Sequence, residues 1–174
     1  EERTTNANFT MGLRRRHSVL SFWVLMSVLS CSREAGFSLQ KAISKEGLTP
    51  KPVVFDLPAS VFKDTPQDIF IWLRNNAEYE FSNVFLIASL KVNNKIRIQD
   101  TLEYAMTAPD GSWLGKGFTE LKENKLWWKQ GLIIPEEGPV QIEIAQAMRN
   151  NGKPDGVPKL KGIVSLGISI EEQQ

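Results

Sequence analysis

Histidine and cysteine are almost missing from this chain: its 174 residues hold one of each, His17 and Cys31. Nothing after residue 31 can therefore supply a Ser-His or Cys-His nucleophile pair or a zinc site built on imidazole or thiolate. With a single cysteine, the domain also folds without an internal disulfide. Excess charge is lacking too, since 21 basic side chains face 20 acidic ones, and no clustered basic face points to nucleic acid. Gly111, Gly115 and Gly117 surround Lys116 but match neither a dinucleotide fingerprint nor a phosphate-binding loop. Carboxylates remain, yet Asp100 and Glu103 stand three apart on an expected strand and so point to opposite faces. No spacing singles out two carboxylates facing across a cleft, as glycoside hydrolysis requires. Loop oxygens near Asp110 or Asp155 show no EF-hand spacing for calcium. The expectation is a protein that is not an enzyme and carries no metal.

What the first 31 residues do contain is ordered. Met11 is followed by Arg14-Arg15-Arg16, then by a mostly apolar run from Val19 to Leu29, then by Val28-Leu29-Ser30-Cys31. A positive start, a short apolar stretch and a small residue before the cut form a secretory signal. The run falls short of the roughly 20 residues of a membrane-spanning helix. A cysteine at the cut, with Ser30 before it and Val28 three back, resembles the lipobox of bacterial lipoproteins, in which that cysteine takes a diacylglycerol. Two acyl chains suffice for stable anchoring where one is marginal. The expected organisation is an upstream overrun over 1–10, a lipoprotein signal over 11–30, a polar tether over 31–52 and a domain over 53–174. Taking the four arginines and two glutamates of residues 1–30 away from 21 and 20 leaves 17 basic and 18 acidic side chains, a net of −1. Apart from a covalent lipid on Cys31, no cofactor is expected.

Beyond residue 52 the pattern is one of short β-rich runs separated by turn residues. Val53 to Phe55, Ile69 to Leu73, Asn83 to Val92, Lys95 to Ile98 and on to Tyr104, Leu126 to Ile134, Val140 to Ile144 and Ile163 to Ile170 all read as strands. Asn93-Asn94 between two of them predicts a hairpin, and Pro109-Asp110-Gly111 a turn. In the last run Val164, Leu166, Ile168 and Ile170 would share one face. Helical spacing never lasts beyond a turn or two. Seven or eight short strands at regular intervals predict an all-β fold, a single antiparallel β-sandwich of jelly-roll or immunoglobulin-like type.

Aromatic residues are the remaining signal. Trp127 and Trp128 are adjacent, so on a strand one should enter the core and the other face outward, with Lys125 and Lys129 as a cationic rim. An outward tryptophan can stack on a sugar ring or anchor a protein interface. Both could instead be packed, one in the core and one under a loop. Asp110, Trp113, Lys116, Trp127 and Trp128 are the candidate docking surface.

Ser82 to Ile87, Asp100-Thr101-Leu102-Glu103-Tyr104, and above all Asp110-Gly111-Ser112-Trp113-Leu114-Gly115-Lys116-Gly117-Phe118 resemble the GldH family of gliding-motility lipoproteins. Asn124 to Trp128 and Ala147-Met148-Arg149 continue the likeness in order. The resemblance implies a Bacteroidota lipoprotein needed for gliding and associated with the secretion route for gliding adhesins. Its partners would be the membrane, through lipid, and other envelope proteins. It brings no catalytic residues. The Asp110–Phe118 loop is then either a docking surface or a structural corner in which Trp113 plugs the end of the sandwich. A carbohydrate-binding module on the same architecture is the other reading. With only Glu34 acidic just after Cys31, the domain is expected to face the periplasm, at either membrane.

Overall fold

A computed structural model of the chain describes residues 36–61, 63–134 and 138–173. Cys31, the signal segment over 11–30 and the overrun over 1–10 lie outside the described residues.

Among the described residues eight strands build the domain: β1 (Gly36–Ala42), β2 (Val53–Leu57), β3 (Gln67–Asn75), β4 (Asn83–Val92), β5 (Lys95–Ala105), β6 (Lys122–Leu132), β7 (Val140–Gln146) and β8 (Ile163–Glu172). They form two antiparallel four-stranded sheets, ordered β1-β8-β3-β6 and β2-β7-β4-β5. The first strand pairs with the last, the second with the seventh, the third with the sixth and the fourth with the fifth. That nested pairing is the jelly roll, and it sets aside the immunoglobulin-like alternative.

Period-two alternation decides which side chains enter the core. In β4, Val84, Leu86, Ala88, Leu90 and Val92 are buried while the residues between them face out, apart from the small Ser89, which is covered. In β7, Val140, Ile142 and Ile144 do the same. They meet Ile69, Ile71 and Leu73 from β3 and Leu166, Ile168 and Ile170 from β8. Val164 does not join that face. A register irregularity between Arg74 and Asn75 brings Ile163 opposite Asn75, and Ile163 takes the core place. The expected hairpin is present, with Asn93 and Asn94 both at positive φ, 50° and 61°. A two-residue turn of this kind needs that conformation at both positions, and asparagine tolerates it better than most residues.

The polar tether needs correction. Residues 36–42 are not a spacer but strand β1, paired along its whole length with β8, from Gly36 opposite Glu171 to Ala42 opposite Ser165. Phe37 and Leu39 pack against the core. Leu48 is buried as well and makes two backbone hydrogen bonds with Leu160. β1 therefore belongs to the domain, and Val53 is the start of its second strand.

Candidate docking surface

The two sheets meet at an open side formed by β5 of one and β6 of the other. Asp100 on β5 ties them together. Its carboxylate accepts a hydrogen bond from Trp128 Nε1 at 3.0 Å and an ion pair from Lys129 Nζ at 2.9 Å. Burial pushes the Asp100 carboxyl up, but the hydrogen bonds from Lys129 and Trp128, with the Lys129 charge, together hold it below its ordinary value. Nearby, Tyr104 donates its hydroxyl to the Trp127 carbonyl at 2.5 Å. Burial, and then the Asp100 charge, push that phenol up to about 12, so it stays a donor at neutral pH.

This arrangement separates the two adjacent tryptophans. Trp128 is 6% exposed and belongs to the core, whereas Trp127 is 48% exposed on the outer face. Trp128 therefore leaves the candidate surface. The irregular pairing of Ile69 and Phe70 with Lys129 and Trp127 leaves Trp128 without an opposite residue. Such a bulge re-aims a side chain, here toward Asp100.

The loop from Asp110 to Phe118 is largely a corner. Asp110 Oδ1 accepts from the Ser112 amide at 2.9 Å and the Ser112 hydroxyl at 2.6 Å. These two bonds lower its pKa and close an Asx turn around Gly111, whose φ is +85°. Asp110 thus shapes the turn. Trp113 is half-buried, its ring centroid 6.3 Å from that of Tyr79, and its backbone bridges Thr107. Lys116 pairs with Glu123 through two backbone hydrogen bonds of 2.9 and 2.8 Å, while no described carboxylate pairs with its ammonium. A side chain at Gly115 would lie 2.7 Å from Asn124 Oδ1, so glycine lets this segment close on β6. What the corner offers to solvent is Leu114, Phe118 and Leu121, all exposed.

Sequence reasoning missed those three residues, because a loop has no periodicity to mark an outward apolar side chain. It also missed the outer face of β3. Phe70 and Trp72 point away from the core there, beside Lys125 and Trp127 of β6. Phe70 and Trp127 meet edge to face, with centroids 4.8 Å apart. Lys125 Nζ lies 4.0 Å from the Phe70 ring centroid and 5.5 Å from that of Trp72, and pairs with Glu171 at 2.7 Å. Trp72 Nε1 donates to Ser169 Oγ at 2.8 Å. The corner loop rises beside this face and leaves a groove of about 420 Å³, whose lining includes Trp72, Ala105, Leu114, Gly115, Lys116 and Lys125. Among the described residues no three histidine, cysteine, aspartate or glutamate side chains cluster as metal ligands would. Aromatic rings, a cation and short apolar side chains make a surface suited to binding.

Residues 51–170 match the family model described as GldH lipoprotein. A Christiangramia forsetii protein described as "Gliding motility lipoprotein GldH homolog" is 49% identical over 105 residues, covering 60% of this chain and 65% of that protein. The Flavobacterium johnsoniae protein "Gliding motility lipoprotein GldH" is 35% identical over 162 residues, covering 92% of this chain and 99% of that protein. Among solved structures, dimeric latent PorU from Porphyromonas gingivalis aligns with 79% of this chain and 13% of its own at 10% identity, with a TM-score of 0.29, a likeness on which no argument rests. The family match and the nearly full-length Flavobacterium alignment agree: this chain belongs to the GldH lipoprotein family.

Proposed function

We propose that this chain is a lipid-anchored, non-catalytic component of the gliding machinery in the cell envelope, and that it supports the associated protein-secretion apparatus by contacts with other envelope proteins. Cys31 carries the lipid, and the domain faces the periplasm. The observation that carries the reading is the family membership together with the gliding-motility names of both relatives. The Trp127–Lys125 face and the groove beside it supply a surface for such contacts.

The test is an in-frame deletion, scored for colony spreading and for secreted protein in the medium, and complemented with wild type or Cys31→Ala. Loss of both traits, restored by wild type and not by Cys31→Ala, supports an anchored component. Normal spreading and secretion in the deletion strain overturn it. Protease shaving of intact cells checks the side, since cleavage of the domain would place it at the surface.

A second reading rests on the exposure of Trp127 beside Phe70 and Trp72, an arrangement that can also stack on sugar rings. The variant that tests it is Trp127→Ala, because Trp128 is in the core. No glycan binding by the wild-type protein at millimolar concentration removes this reading.

A further inference from the structure

We propose that the groove at Gly115–Lys125 is a strand-addition site, and that its occupant is an extended segment of a partner protein carrying an acidic residue. The proposal deepens the protein-contact reading above and rests on it.

Hydrogen-bond parity decides which groups of β6 face outward. β6 is the edge strand of its sheet, with β3 on one side only. In an antiparallel pair, successive residues turn their N–H and C=O groups alternately toward the partner and away from it. The amide and carbonyl of Glu123 both bond to Lys116, so Glu123 faces the open side. By alternation Lys125 and Trp127 face it as well. The Tyr104 hydroxyl bond to the Trp127 carbonyl confirms the parity independently. No described group bonds to the Lys125 amide or carbonyl, or to the Trp127 amide. These three groups form a short open ladder.

On either side of that window regular pairing is already taken or interrupted. Above it, Lys116 already occupies the ladder position opposite Glu123. The chain does not continue along the edge, because Leu114 turns its amide to the Met106 carbonyl. Below it, the bulge and the ties from Trp128 and Lys129 to Asp100 end regular pairing. Edge strands are commonly guarded by bulges and charges, and this edge is guarded except at one place. That place is where the groove of about 420 Å³ lies, within the volume range of sites that hold ligands. An extended segment entering here would gain main-chain hydrogen bonds from Lys125. Its alternate side chains would meet Leu114 or the ring of Trp72. This is recognition by strand addition.

Charge selects the occupant. No described carboxylate pairs with Lys116, and the bond described for Lys122 Nζ goes to the Gly117 carbonyl at 2.8 Å. Glu123, the acidic residue lining the groove, is already paired with Arg74. The groove lining therefore presents one cation, Lys116, whose charge nothing described neutralises, with Lys122 beside it at Gly115, and an acidic segment complements them.

Proline at position 125 offers a specific test. The Lys125 N–H points away from β3, so Lys125→Pro removes the outward donor without removing a ladder bond to β3, a position where edge strands accept proline. Lys125→Thr keeps the donor and removes the side chain. A photo-crosslinking residue replacing Leu114 in the full-length protein, expressed in the gliding host, reports occupancy of the groove. The same residue replacing Thr101, exposed on the other sheet, serves as the control. Crosslinked peptides are identified by mass spectrometry.

The expected result is a Leu114 crosslink to an acidic segment of one envelope protein. It should fall roughly tenfold or more in Lys125→Pro, the loss of a ladder hydrogen bond plus a steric block, and survive in Lys125→Thr. Lys116→Glu, a change on an exposed side chain that leaves the fold alone, should lower it as well, which keeps the test sound if the proline variant folds poorly. A crosslink indifferent to both Lys125→Pro and Lys116→Glu overturns strand addition. A crosslink to a second copy of this chain overturns the assigned occupant. Crosslinks at position 101 alone overturn the groove but keep the protein-contact reading, and crosslinks at neither position overturn both.

Discussion

Asp100, together with Tyr104, ties β5 to β6. It satisfies the indole N–H of a buried tryptophan and the ammonium of Lys129 at once. Asp100→Ala leaves Trp128 Nε1 without its acceptor in a mostly dry setting, which costs about 1–3 kcal/mol. A urea midpoint unchanged from wild type would refute this. The pH dependence follows from the depressed carboxyl pKa. A group whose folded pKa lies below its unfolded value of about 4 contributes stability that is fully present above that value. The contribution is lost as pH falls through the folded value. Wild type should therefore lose more stability than Asp100→Asn between pH 7 and pH 3. Equal losses in the two proteins would show that Asp100 is not an acid-sensitive tie. Two glycines separate strain from collision in the same way. Gly152 and Gly162 share nearly the same φ, +76° and +78°. A methyl group meets nothing at Gly152, but at Gly162 it collides with the Tyr79 backbone. Gly152→Ala should cost about 1 kcal/mol of backbone strain, and Gly162→Ala clearly more, because Tyr79 backs Trp113 in the corner. Similar thermal midpoints for the two variants would contradict the packing described for that corner.

Strands were legible where alternation was strong, and β1 shows where it was not. β4 runs from Asn83 to Val92, as its near-continuous apolar sequence indicates, and the Asn93-Asn94 turn follows from its two residues alone. β1 has only Phe37 and Leu39 as large apolar residues between polar neighbours, and five of its seven residues are exposed. Its partner β8 supplies most of what holds it, and no local pattern can reveal that dependence. The family match also begins only at residue 51. The candidate site was legible in part for a similar reason. Adjacent tryptophans on a strand must face opposite ways, and Trp128 enters the core because it continues the buried face of Asn124 and Leu126, a choice of face that depends on the opposing sheet. The Asp110–Phe118 motif marked a loop that lines the groove without showing which of its residues face solvent. β1 yields a prediction of its own. Deleting residues 36–42 removes two half-buried apolar side chains, each worth about 1 kcal/mol when a full burial is worth about 1.5–3 kcal/mol. It also strips β8 of seven pairing residues and leaves it as a long apolar edge. A chain starting at Ile43 should melt at lower temperature than one starting at Ser32, and should aggregate. Equal melting would mean that β1 is an ornament on a six- or seven-stranded core.

Across the whole domain, the sheets are tied at both open sides. Asp100 serves one, and Lys41, donating to the Val54 carbonyl at 2.6 Å, serves the other. Chain entry and docking window then lie at different heights. Gly36 opens β1 opposite Glu171, at the end of the sandwich where β3 begins with Gln67 opposite Glu172. Lys125 stands opposite Trp72, five residues further along β3, which is roughly 16 Å at strand spacing. If Cys31 carries the lipid, as proposed above, the five-residue step to Gly36 reaches at most roughly 18 Å, and the window would be held within a narrow layer above the bilayer. A partner anchored in the same membrane would meet it at high effective concentration, set by that short connection. Two glycine or serine residues inserted between Ala35 and Gly36 change the reach little, and spreading should continue. Twenty such residues add a flexible coil of roughly 25 Å root-mean-square span and dilute the window over a larger volume. Spreading should then drop while the amount of anchored protein, measured by membrane fractionation and blotting, stays level. If the twenty-residue insertion spreads like wild type at equal protein level, the height of the domain above the membrane does not matter. The short step from Cys31 to β1 would then serve attachment alone.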